Sequence, residues 1–273
     1  MTDRDYFKLA VLIYGASMVY SVFLWRKGFR EDNRVNYFVL LGAFLFHTVA
    51  MVKRGFSLDR CPVTNLYEAT TFIGWTMVAA YLALGVWSRL RFLGAFLSPI
   101  IFSIGVFALM PALDKHHGPN PEFFIPGWQN SLHAALFALA YGAFGLSSGA
   151  GLMYLTQEHD LKLHKVRAIF SLMPPIQRLE VVTGRLLAVG FALLTAALGV
   201  SMLYLKRSAG VYLADDPKIL WAFFVWFLYL GLLLMRWRFA QGGRRFAWGA
   251  VGGFAFVLLT FWGTNLLSPI HNP

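Results

Sequence analysis

Seven histidines, one cysteine and a short polar run are the groups with chemistry to offer in this 273-residue chain. His133 stands near the start of an apolar stretch, NSLHAALFALAYGAFG (130–145), just after Asn130 and Ser131, either of which suits a helix N-cap. Its ring is therefore expected in the first helical turn, where the positive helix end favours the neutral, metal-ligating imidazole. His271 follows another apolar run, in NLLSPIHNP, and a shared depth with His133 is what a bis-histidine metal site requires. His47 lies inside an apolar run, where an ionisable group is costly unless it is paired or functional. The plainer alternative for it is a neutral ring hydrogen-bonded to a neighbouring helix. Asn65, Tyr67 and Glu68, within CPVTNLYEATTFIGW, read as a polar cluster at the start of a run, with Glu68 also placed to stabilise the helix N-terminus. His159 and His164 fall in a basic segment and read as solvated; His116 and His117, in DKHHGPNPEFFIPGWQN, read as exposed or metal-binding.

Several chemistries are excluded. The lone Cys61 rules out an internal disulfide or a CxxC relay. The histidines show no HExxH or comparable ligand spacing, and there is no Gly-rich phosphate loop. No catalytic residue can be named.

The elements that position these groups follow from composition: 58% hydrophobic and 14% charged residues mark an integral membrane protein. About 20 apolar residues cross the hydrocarbon core, and eight segments qualify, at 6–25, 35–52, 66–87, 92–113, 131–155, 186–205, 219–235 and 246–267. The expected fold is all-α, a polytopic eight-transmembrane-helix bundle forming a single domain over residues 1–273. The first segment lacks the small-residue cleavage site of a signal peptide and is read as a permanent helix. A net charge of +11 would suggest nucleic acid in a soluble protein. Here 15 of the 24 basic residues fall on alternate loops, which predicts that those loops face inward and that both termini lie on the outer, periplasmic side. MPPIQRLE is predicted to start a helix, since prolines suit a first turn. Small residues at 134, 138, 142, 145, 149 and 151 predict close packing of the fifth helix, with a flat cofactor as the other use of that face.

CPVTNLYEATTFIGW resembles the P-x-S/T-N-L-Y-E signature of the CcsA/HemX-type cytochrome c assembly proteins. NSLHAALFALAYGAFG resembles their helix carrying the first external heme-ligand histidine, DPKILWAFFVWFLYL the segment after their tryptophan-rich heme loop, and GTNLLSPIH their C-terminal N-L-L plus histidine. The resemblance runs from the second helix to the C-terminus. It implies a multi-pass protein of the bacterial cytoplasmic (inner) membrane that binds b-type heme non-covalently, as a substrate, and presents it for attachment to apocytochrome c. His133 and His271 match the two external axial ligands of the heme iron. Tyr212, Asp216 and Lys218 fit the heme-loop pattern, and Lys218 and Arg207 suit the propionates. The implied partners besides heme and lipid are a second membrane subunit with a large outer domain, apocytochrome c and a thioredoxin-like reductant; such a complex would act as a heme lyase.

Two departures are plain. Ala209, Leu213 and Asp215 stand where the family's tryptophans align, and Leu234 and Met235 occupy the region of its intramembrane histidine in helix seven. These losses point to the HemX-like branch as the alternative, an accessory or regulator of heme synthesis without full lyase activity, while the retained His271 points to assembly. A small-molecule transporter using His47 and Glu68 is a further alternative, but no repeated halves or broken helices appear.

Overall fold

Each apolar run forms a helix, and the ends are set by local chemistry. The computed structural model describes residues 1–27, 33–58, 65–114, 128–164, 173–209, 216–238 and 242–267. Helix α1 (Asp3–Arg26) opens with a capping box: Thr2 Oγ1 accepts from the Asp5 amide at 3.2 Å and Asp5 Oδ2 accepts from the Thr2 amide at 2.8 Å. Then follow α2 (Arg34–Leu58), α3 (Leu66–Leu84), α4 (Leu93–Ala108), α5 (Trp128–Lys162), α6 (Ile176–Ala209), α7 (Pro217–Trp237) and α8 (Gly243–Leu266). Short 3-10 turns, Ser88–Phe92 and Pro111–Leu113, flank α4.

Among the described residues these eight α-helices make an all-helical chain, and α1, α2, α4, α5, α6 and α7 are long and apolar enough to cross a membrane. The chain is thus a multi-pass membrane protein.

Several boundaries differ from the sequence expectation. Helix α5 begins at Trp128, so His133 sits in the second turn rather than the first. Helices α3 and α4 stop short of residues 87 and 113, because Gly85 and the turn held by Arg91 end one and Pro111 restarts the chain after the other. The PPIQ start is seen as expected, with the Pro175 carbonyl accepting from the Arg178 and Leu179 amides, but α6 then runs 34 residues without a break, well before and beyond 186–205.

The packing falls into two groups. In the first, α1 lies against α2 and α4, with α3 beside them; in the second, α5 packs most extensively on α6 and also on α8, and α7 bridges α6 and α8. Helix α5 joins the groups through α3 and α4. The small-residue face predicted on α5 makes these contacts: a Cβ on Gly142 would stand 2.6 Å from Thr76 Oγ1, one on Gly145 would run into Met77, and one on Gly151 would meet the Ala247 carbonyl at 3.1 Å. The carbonyl of Ala138 accepts from Thr76 Oγ1 at 2.9 Å across the same seam. Close backbone approach of this kind replaces the hydrophobic effect as the source of helix association in lipid.

In the second group Phe144 and Tyr229 stack face to face, with centroids 3.6 Å apart and planes within 7°. The Tyr229 hydroxyl is buried without a hydrogen-bond partner among the described residues. Because a buried hydroxyl without a partner keeps its desolvation penalty of about 1–3 kcal/mol, Tyr229→Phe is expected to raise the thermal midpoint of the detergent-solubilised protein. A lowered midpoint would mean that the hydroxyl finds a partner in the folded state.

Candidate functional site

His133 lies at the end of the bundle where α5 and α7 begin. Half-buried, its ring packs edge-on against Phe137 with centroids 4.8 Å apart, and Nδ1 lies 3.4 Å from the Ala197 carbonyl of α6. Phe137 leads to Tyr141 at 6.0 Å, and Tyr141 meets Phe261 of α8 at 5.7 Å and Trp221 of α7 at 6.3 Å. His133, Phe137 and Tyr141 are successive i, i+4 neighbours, so one helix face carries all three. Trp221 Nε1 donates to Thr260 Oγ1 at 2.9 Å, which ties α7 to α8 beside this ladder. An apolar crevice lined by Thr70, Ile73, Ile104, Tyr141, Phe254 and Phe261 lies at the foot of the ladder, where the two helix groups meet.

Helix α7 starts here because Asp216 caps it and Pro217 takes the first position. The fully buried Asp216 accepts from the Lys218 amide at 2.8 Å. That cap aims Lys218 inward: Nζ stands 5.7 Å from the centre of the Phe261 ring, a cation–π contact on the ladder that begins at His133. The structure thus brings His133, Asp216 and Lys218 together. Arg207 belongs to α6, but its side chain, like Tyr212 and His271 in their entirety, lies outside the described residues. So do Cys61, His116 and His117.

A second polar assembly sits where α1 and α3 begin and α2 and α4 end. Asn65 caps α3, accepting from the Glu68 amide at 2.8 Å, which leaves the Glu68 carboxylate to accept from Arg54 Nε at 3.1 Å. Arg54 also holds Asp3 at 3.2 Å and Asp114 at 2.6 Å, so one guanidinium joins four segments. Asn65 Nδ2 donates to Asp114 at 3.1 Å and Arg4 pairs with Asp114 at 3.7 Å. The Tyr67 ring lies under both arginines, at 5.3 Å from Arg4 and 5.2 Å from Arg54. The expected cluster of Asn65, Tyr67 and Glu68 is present, but its organising residue is Arg54, which belongs to no motif. The signal for it was the meeting of charges at the ends of four apolar runs.

His47 is fully buried in α2, and its Nδ1 lies 3.1 Å from the Tyr14 hydroxyl of α1, with Phe7 at 4.9 Å. That is the hydrogen-bonded arrangement given above as the plainer alternative. Its Nε2 has no hydrogen-bond partner among the described residues, and Cε1 faces the open side of Gly74. Histidines 159 and 164 lie at and just past the far end of α5, away from either assembly.

Residues 63–271 match the family model described as cytochrome C assembly protein. A protein named cytochrome c biogenesis protein CcsA from Gloeobacter violaceus is 24% identical over 83% of this chain and 82% of its own. Proteins of the same name from Prochlorococcus marinus and Mesostigma viride are 26% and 24% identical, over 82% and 95% of this chain and 77% and 90% of theirs. The match takes in α3 to α8, with His133 and Lys218 of the first assembly and Asn65, Tyr67, Glu68 and Asp114 of the second but not its Arg54, and by it the chain belongs to the cytochrome c assembly protein family.

Proposed function

We propose that this chain binds heme at the outer membrane face and presents it to apocytochrome c, with His133 and His271 as axial ligands of the iron. The observation that carries the reading is the convergence of His133, Lys218 and the aromatic ladder at one end of the bundle. The donor set fits the group. The His133 Nδ1 near the Ala197 carbonyl is the pattern of ligating histidines, whose second ring nitrogen is held by a backbone oxygen so that Nε2 is presented to the metal. Phe137, half-buried beside the imidazole, offers an apolar face to a porphyrin, with Phe261 and Trp221 buried farther along the ladder, and these lie in the helices rather than in the loop that lacks tryptophans. Lys218 and Arg207 supply cations for the propionates.

When bound, heme supplies the vinyl groups that become thioethers on the acceptor cysteines. This chain's own residues do the holding: His133 orients its ring against Phe137 and the α6 carbonyl, and Asp216 fixes Lys218 by capping α7. The bound heme is b-type and non-covalent, a cargo of the protein. Eight spans in one domain, with both termini outside, agree with the loop charges, and a bacterial cytoplasmic membrane suits that orientation. With only Cys61 in the chain, reducing power must come from a thioredoxin-like partner, and a second membrane subunit with an outer domain completes a lyase. The CcsA names of the relatives favour this assembly reading over a HemX-like accessory role.

The test is an absorption spectrum with pyridine hemochrome quantification, on wild type and the His133→Ala/His271→Ala double variant, each purified from heme-replete cells. Wild type is expected to show a Soret band that the double variant loses. Equal heme in both would remove the ligand assignment, and no heme in wild type would favour the accessory role.

A further inference from the structure

At the end of the second helix group away from His133, where α5 and α7 end and α6 and α8 begin, arginines outnumber carboxylates. The acidic residues there are Glu158, Asp160 and Glu180, and the connections 165–172 and 239–241 contain none. Arg236 takes Glu180 at 3.6 Å, Lys162 and Arg244 take Glu158 at 2.6 and 3.9 Å, and Asp160 is buried. Arg178 and Arg185 of α6, Arg238 at the end of α7 and Arg245 of α8 are exposed and make no ion pair among the described residues.

Two of these arginines border one seam. Arg178 and Arg185 stand two turns apart, about 10 Å along the same side of α6, and Val181, Val189 and Ala192 share that exposed stripe. The register with α7 is fixed by Gly184, whose added Cβ would come 2.6 Å from the Arg236 guanidinium carbon, and by the Glu180 carbonyl, which accepts from Arg236 Nη1 at 3.1 Å. Arg185 is therefore level with the last turn of α7, which ends in Trp237, 65% exposed. Trp237 is three turns along from Trp226 on the same face of α7. Trp226 leans on α6: its Nε1 donates to Thr195 Oγ1 at 2.9 Å and its ring meets Phe191 at 5.3 Å. The α6–α7 seam thus has arginines on one rim and a tryptophan on the other at one depth, with an apolar path beyond them over Ala188, Ala192 and Trp226.

We propose that this seam binds an anionic phospholipid, its phosphate held by Arg185 and Arg178 and an acyl chain laid along the seam past Trp226. Helix α6 is long and apolar enough to span, so exposed arginines in line with exposed valines face lipid, and their counter-charge comes from the lipid. A zwitterionic headgroup carries its own cation beside the phosphate, whereas an anionic one brings a net negative charge, and the planar guanidinium fork matches two phosphate oxygens. Tryptophan settles where acyl chains meet headgroups, which puts Trp237 beside the glycerol backbone and Arg185 within reach of the phosphate. Basic groups at the seam of spanning helices attract anionic headgroups in this way. Arg238 lies about 100° round α7 from Trp237, and Arg245 belongs to α8, so neither shares the face that borders the seam. None of these residues has a use in the heme reading, since His133 is at the opposite end of α5.

The test is native mass spectrometry of the full chain, delipidated in detergent and titrated in separate samples with dioleoylphosphatidylglycerol and dioleoylphosphatidylcholine. Wild type is expected to hold phosphatidylglycerol at several-fold higher occupancy than phosphatidylcholine. Arg178→Gln/Arg185→Gln, checked for an unchanged elution profile, is expected to bring the two occupancies together. Arg238→Gln/Arg245→Gln removes the same charge from the same end and is expected to keep the preference. Arg185→Gln alone, expected to lose at least half of the preference, serves where the first pair does not fold. Equal occupancies in wild type would overturn the proposal. So would a preference that survives the loss of Arg185, or one that falls equally in both pairs and so belongs to a diffuse basic surface.

Discussion

Arg54→Ala is expected to lower the stability of the bundle by about 3–5 kcal/mol, the range for removing one partner from a buried ion pair. The guanidinium is 11% exposed and the Glu68 carboxylate 0%, so the loss leaves a buried negative charge facing Asp3 and Asp114 with its main counter-charge gone. Arg4 remains, but it pairs only with Asp114 among these carboxylates, at the longer distance of 3.7 Å. Arg54→Lys is expected to recover only part of the loss, because a single ammonium cannot reproduce a planar fork directed at three carboxylates. The double variant Arg54→Leu/Glu68→Leu is expected to be closer to wild type than Arg54→Ala, since it removes both buried charges. Thermal unfolding in detergent, read as the midpoint and as yield of folded protein, measures all three. An Arg54→Ala protein within 1 kcal/mol of wild type would show that water reaches the carboxylates.

Phe144→Ala is expected to cost a similar amount, about 3–5 kcal/mol, from the cavity it leaves. Phe144 is 1% exposed; one face lies on Tyr229 of α7, and its edge fills the space where Gly190 of α6 has no side chain. A Cβ on Gly190 would come 2.6 Å from Phe144 Cε1, so three helices share this one ring. Gly190→Ala is therefore expected to destabilise wild type through overpacking, yet to be tolerated better beside Phe144→Ala, where the space is free. A double-mutant cycle on thermal midpoints checks this. Strict additivity would mean that the ring and the glycine do not share a cavity.

The apolar runs made the helices legible because twenty-residue stretches without charge have few other uses. Their ends were less so. Trp128 and Gln129 continue α5 backward although Asn130 and Ser131 looked like caps, since a good capping residue does not terminate a helix whose preceding residues also favour it. The i, i+4 ladder of His133, Phe137 and Tyr141 was present in the same stretch as the small residues, but periodicity does not tell which of two faces meets a partner. The Arg54 assembly depends on four segments far apart in sequence, so neither spacing nor motif announces it. His47 shows the same limit: its Tyr14 partner lies 33 residues away on another helix.

The length of α5 has a further consequence. At about 1.5 Å per residue, 35 residues extend about 53 Å, against about 30 Å of hydrocarbon. Even a strong tilt leaves turns of α5 beyond the apolar layer, and α6, of 34 residues, runs alongside it. The pair therefore stands as a stalk whose ends lie among lipid headgroups. At one end the stalk carries Glu180, paired with Arg236, and Glu158, paired with Arg244 and with Lys162 of its own helix, so the interhelical salt bridges there sit in a layer of high dielectric and mobile counter-ions. At the other end His133 follows the first turn of α5, so thickness of the host bilayer becomes a variable that sets how far that histidine is wetted.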